Sequence, residues 1–141
     1  MSEYIERRNG VPLGMSHSLR NMMYRSLGAG QFSAFWKYWN PIWSYYLGMY
    51  IFKPLKMVFP PALSLILTFV VCGFVHDIVI MVIRWDLVLI FTPWFLIMGV
   101  CVVTGDLIKL DYSTFPWIAR AIINIAIIGG CYFLSGQLGI W

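Results

Sequence analysis

Charge is what this chain has least of. Asp, Glu, Lys and Arg supply 11% of its 141 residues while 60% are hydrophobic, against roughly 25% charged in an average soluble domain. An ordinary soluble fold is excluded on that ground. Cysteine is scarce too: Cys72, Cys101 and Cys131 each stand alone in an apolar run, with no CxxC pair and no Cys/His cluster of metal-ligand spacing. That pattern argues against a disulfide framework and a metal site, and no bound cofactor is expected. The opening MSEYIERRNGVPLG is polar and lacks the apolar core and small-residue cleavage site of a signal peptide, so the first forty residues are expected to stay on the mature protein. Internal repeats and low-complexity tracts are absent as well.

Long apolar runs fill the second half. A crossing of the roughly 30 Å hydrocarbon core takes about 20 mainly apolar residues, and three stretches qualify: 62–83, 87–104 and 116–134. Arg84-Trp85-Asp86 and the segment GDLIKLDYSTF at 105–115 separate them, combining charge with aromatic rings suited to the membrane interface. Pro60-Pro61 marks the start of the first. The preceding QFSAFWKYWNPIWSYYLGMYIFKPLK, residues 31–56, is rich in Trp and Tyr but interrupted by Lys37, Pro41, Lys53 and Pro54. Helices lying in the interface, with a short re-entrant helix after Asn40, suit it better than a crossing. The expected class is an all-α membrane protein: about three transmembrane helices preceded by amphipathic or re-entrant interfacial helices. Its parts are a basic arm over 1–30, an aromatic segment over 31–60 and a three-helix core over 61–141. Seven of the ten Lys and Arg residues precede residue 57, which by the positive-inside rule puts the N-terminal arm in the cytoplasm, returns the 105–115 loop there and leaves the C-terminus outside.

Within the first apolar run, Ser64, Thr68, Cys72 and His76 recur every four residues, which stacks them on one slowly drifting helix face. Gly73 removes bulk beside the imidazole, and Leu65, Ile66, Phe69 and Val70 are left to face lipid or packed neighbours. Such a helix is suited to line a cavity. Ionisable groups in hydrocarbon are costly and mark function more often than elsewhere, yet a lone histidine bonded to a backbone carbonyl is also an ordinary structural device. Asp77, about 100° away from His76 around the helix, is expected to meet Arg84 on its own face.

The ordered set FWKYWN at 35–40, YIFKPL at 50–55 and GFVH at 73–76 resembles the catalytic core of the membrane-bound O-acyltransferase family. The matching positions are Phe35, Trp36, Trp39 and Asn40, then Tyr50, Pro54 and Leu55, then Gly73 and His76. Asn40 is most similar to the branch acting on sterols and diacylglycerol, while the short spacing is similar to bacterial members. Pro41 and Asp77 depart from the family pattern.

The resemblance implies transfer of an acyl group from an acyl-CoA or acyl-carrier-protein thioester to a hydroxyl acceptor. His76 would be general base, taking the proton of the attacking alcohol, and Asn40 would steady substrate or developing carbonyl charge. Trp36, Trp39, Ser64, Thr68, Cys72 and Gly73 would line the approach, and Lys37, Lys53 and Lys56 would attract the phosphates of coenzyme A or the acidic surface of a carrier protein. An integral protein of the bacterial inner membrane is implied. The family builds its chamber from more helices than this chain offers, so copies of the chain or a second membrane subunit are expected to supply the missing walls. Gly99, Gly105, Gly129 and Gly130, with Ala119, Ala121 and Ala126, permit the close helix contacts this needs. No nucleic-acid partner is expected. Two other classes remain open on the sequence: a non-catalytic small subunit of a membrane complex, and a proton- or ion-conducting oligomer with His76 and Asp77 around a pore.

Overall fold

The structure, a computed structural model, describes residues 1–12 and 14–139 and is all-helical among them. Two short helices, α1 (Ser2–Asn9) and α2 (Ser18–Leu27), form the N-terminal arm. Then come α3 (Phe32–Tyr38), α4 (Pro41–Leu47) and α5 (Lys53–Lys56), the last two joined without a break by a π-helical turn over Gly48–Phe52. The π turn has a cause in the sequence. Pro54 has no N–H to give to the preceding turn, and widening the helix just before it, with the Lys53 amide bonded to the Gly48 carbonyl, gives the ring room without breaking the rod.

Three long apolar helices follow: α6 (Pro61–Arg84), α7 (Phe91–Leu107) and α8 (Trp117–Gln137). Proline stands at or beside the N-cap of α6 and α8, where a missing N–H costs nothing. Two of the three, α6 and α8, are long and apolar enough to cross a membrane, whereas α7 has 17 residues, or about 25 Å. It starts at Phe91 rather than at 87, because the Asp77 carboxylate gathers the amides of Ile90, Phe91 and Thr92 and nucleates the first turn there. Asp77 therefore does not meet Arg84, which is exposed; the shortage of free amides at a helix start outcompetes an ion pair at the end of a solvated helix.

Short connections lay α6, α7 and α8 side by side in alternating direction. Gly73 and Gly99 let α6 and α7 approach closely: a Cβ on Gly73 would lie 2.6 Å from the Phe91 carbonyl oxygen, and one on Gly99 would lie 3.0 Å from Phe69 Cβ. Gly105, Gly129 and Gly130 face open space. Trp94 ties α7 to α8 through its indole N–H, donated to the Ile128 carbonyl at 3.0 Å. The core runs through Phe32 and Phe35 of α3, Phe69 and Cys72 of α6, Phe95, Met98 and Val102 of α7, and Cys131 of α8; Phe69, expected at lipid or a packed neighbour, is one of its members.

A buried polar knot fastens the arm to this core. Asn124 on α8 accepts the Tyr112 hydroxyl at 2.6 Å and donates its amide to the Leu27 and Ala29 carbonyls, both at 2.9 Å. Nearby, Asp111 accepts the Ser113 amide at 2.8 Å and the Gln31 side-chain amide at 3.0 Å, and the Ser113 contacts hold its carboxyl below the usual range. Burial, with the Asp111 charge beside it, pushes the Tyr112 phenol up to about 12.

Candidate functional site

His76 lies on α6 one turn beyond Cys72, with Nδ1 2.7 Å from the Cys72 carbonyl oxygen. A carbonyl only accepts, so this geometry assigns the hydrogen of the neutral ring to Nδ1 and leaves the lone pair on Nε2. The imidazole is packed against Phe91 and Phe95, each ring centroid 5.4 Å away. Both phenylalanines belong to α7, whose start is fixed by Asp77. The two adjacent ionisable residues of α6 thus have separate tasks: one presents an imidazole, and the other holds the helix that packs against it.

The His76 ring contributes to a cleft of about 400 Å³, bounded by α1, α3, α4, α6 and α7. Asn40, Trp36, Trp39, Lys37, Thr68 and Cys72 line the same cleft. Asn40 has a left-handed backbone, φ 41°, and caps α4 by accepting the Trp43 amide at 3.3 Å on its side-chain oxygen. This accounts for Pro41, which occupies the first helical position where its ring is pre-set for the turn. With the oxygen engaged in the cap, the amide nitrogen of Asn40 remains as a donor. Trp36 packs edge-on to Phe69 at 5.2 Å, and its indole N–H is buried without a hydrogen-bond partner among the described residues. A buried unpaired donor beside a cleft favours an acceptor brought by a ligand or water.

Other residues from the sequence reading lie differently. Ser64 is fully buried outside the cleft lining, and its hydroxyl donates to the carbonyls of Pro60 at 3.0 Å and Phe59 at 3.3 Å. Thr68 lines the cleft but donates its hydroxyl to the Ser64 carbonyl at 2.7 Å. Much of the polar stripe is therefore turned back on its own helix. Gly73 serves the approach of α6 to α7, outside the lining. Lys53 and Lys56 are exposed away from the cleft, Lys53 beside the Met49 sulfur at 2.9 Å.

Three contributions escaped the sequence. Trp43 donates its indole N–H to Cys72 Sγ at 3.1 Å and so ties the Asn40 cap to the His76 helix; its place three residues after a capping Asn was the available signal. Tyr4 and Arg8, four apart on α1, form another part of the wall, and nothing local marks that long-range packing. Phe95 is one more apolar residue of a run until its contact with His76 is seen. Among the described residues, no group of three or more His, Cys, Asp or Glu side chains is placed to hold a metal ion. Comparison of the chain with models of known protein families, with curated proteins and with solved structures finds no match.

Proposed function

We propose that this chain is an integral membrane protein carrying the catalytic core of an O-acyltransferase, with His76 as general base. The observation that carries the reading is the bond from His76 Nδ1 to the Cys72 carbonyl, which leaves Nε2 as the basic atom of a ring lining a cleft that also holds Asn40 and the unpaired Trp36 N–H. The acceptor hydroxyl gives its proton to Nε2 as its oxygen attacks the thioester carbonyl. The amide of Asn40 and the unpaired indole N–H of Trp36, both in the lining of this cleft, supply donors for the developing oxyanion. Collapse breaks the carbon–sulfur bond, and the imidazolium returns the proton to the departing thiolate.

Membrane insertion is supported by the outward faces of the long helices. Phe74, Val79, Val82 and Ile83 on α6 and Ile118, Ile122, Phe133 and Leu134 on α8 are exposed, an apolar surface far larger than water tolerates on a monomer. In this reading α7 is the third span, Lys37 at the cleft draws in the phosphates of an acyl-CoA or the acidic face of a carrier protein, and the exposed Lys53 and Lys56, outside the lining, add only longer-range attraction. Copies of the chain or a second membrane subunit complete the chamber. The N-terminus-inside orientation is supported by the basic arm, and the inner membrane by the resemblance alone.

The test is turnover. The membrane-embedded protein, purified with any partner, is supplied with acyl-CoA or acyl-carrier protein and a hydroxyl acceptor, and His76→Ala is expected to lose at least about 100-fold in rate. Equal turnover by the variant sinks the base assignment. Proton flux through liposomes containing the chain alone, abolished by the same substitution, would favour the conducting oligomer instead.

A further inference from the structure

A second cleft, of about 530 Å³, opens where α1, α2 and α3 meet the start of α8. Arg7, Arg25 and Arg120 line it, and no Asp or Glu does. Among the described residues the Arg7 guanidinium pairs with the exposed Glu3, 3.3 Å away on its own helix, and such pairs hold little energy. Arg25 donates to the Arg8 carbonyl at 2.8 Å and lies 5.9 Å over the Tyr38 ring, neither of which neutralises it. Arg120 is the decisive residue. Its Nε is buried without a hydrogen-bond partner, and the side chain makes no ion pair among the described residues.

A guanidinium does not shed its proton to escape burial, so an arginine whose Nε is buried and unpaired, with no carboxylate within 4.0 Å among the described residues, favours an anion from outside the chain. The planar fork of N–H groups matches the oxygens of phosphate better than any single point charge. The wall is rigid: Trp117 donates its indole N–H to the Tyr24 carbonyl at 3.0 Å and stacks on the Tyr24 ring at 5.2 Å. The first turn of α8 adds the positive end of a 21-residue helix. Because α8 is long and apolar enough to cross a bilayer, its first turn is also where phosphate groups of membrane lipids reside.

We propose that this cleft binds a phosphate-bearing ligand, clamped by Arg120 with Arg7 and Arg25. The site is separate from the His76 cleft and stands without the acyl-transfer reading. Both the headgroup of an anionic lipid and a water-soluble phosphate offer the same chemistry.

The test uses the full chain in nanodiscs of phosphatidylcholine. One arm titrates sodium pyrophosphate; the other includes phosphatidylglycerol in the bilayer and reads the lipid retained by native mass spectrometry. Binding in either arm, weakened at least about tenfold by Arg120→Gln and unchanged by Arg84→Gln at the opposite end of the helices, supports the site and names the source. Should Arg120→Gln fail to fold, the double variant Arg7→Gln/Arg25→Gln gives the same reading. No binding in both arms, or binding that these arginine variants leave unchanged, overturns the proposal. Either result can be obtained on protein that shows no turnover.

Discussion

Asp77 accepts the backbone N–H of Phe91 at 2.8 Å. The same carboxylate takes the amides of Ile90 and Thr92 and the Thr92 hydroxyl, the last at 2.6 Å, so one side chain of α6 closes the free end of α7. Phe91 is in turn a neighbour of the His76 ring. Asp77→Ala leaves three amides without their acceptor and is expected to cost about 2–3 kcal/mol of stability, measured by unfolding in detergent. Asp77→Asn, which keeps one acceptor oxygen, should lose less. An Ala variant as stable as wild type would show that α7 finds its start without the cap.

Gly73 predicts a steric effect of a different kind. Its absent Cβ would sit 2.6 Å from the Phe91 carbonyl oxygen and 2.9 Å from Phe95 Cβ, both on the helix that packs against His76. Gly73→Ala must push α6 and α7 apart, at about 1–3 kcal/mol, and Gly73→Val should cost more. At Gly129, inside α8 with nothing within 4 Å, the same change to Ala should cost nothing in detergent unfolding and is expected to add up to about 1 kcal/mol through helix propensity. Equal responses at the two glycines would refute the close-approach argument.

The sequence made the helices legible because their signals are local. Apolar length, the Pro60-Pro61 and Pro116 starts and the charged break at 84–86 placed α6 and α8 to within a few residues. The start of α7 was not legible, because it depends on a carboxylate 14 residues away in sequence from Phe91. Of the four-residue series Ser64, Thr68, Cys72 and His76, the last three line one cleft and Ser64 does not; hydroxyls on a helix also find the carbonyl one turn back, and spacing does not distinguish that from a cavity. Asn40 and His76 do line one cleft. Their link through Trp43 and Cys72 joins positions 29 apart, and no periodicity encodes it.

The Asn124 knot yields a third prediction. This side chain is fully buried and uses both its oxygen and its amide, on three partners drawn from the loop before α8, the last residue of α2 and the turn that follows it. Asn124→Leu keeps the approximate volume but strands two carbonyls and a phenol, and should destabilise by about 2–4 kcal/mol. The loss should release the N-terminal arm before the apolar helices separate. Limited proteolysis would then cut the arm of the variant first, with α6 to α8 still protected by detergent; simultaneous loss of all segments would argue against that order.

Tyr112 gives the pH dependence. Its phenol is raised to about 12 by burial and by the Asp111 charge, from about 10 in an unfolded chain. A raised folded value means the fold favours the protonated form. That contribution is complete below about pH 10 and falls as the pH rises toward about 12, because only the unfolded chain then ionises freely. Tyr112→Phe removes the titration and also the 2.6 Å bond to Asn124. The variant should therefore be less stable at neutral pH, by about 1–2 kcal/mol, and the gap to wild type should narrow above about pH 10. Unfolding midpoints of the two proteins across that range give the test. Other tyrosines and lysines titrate in both chains alike, so the difference isolates this residue. Curves that stay parallel to the alkaline limit would mean that the Tyr112 hydroxyl meets solvent more readily than its burial against Asn124 implies.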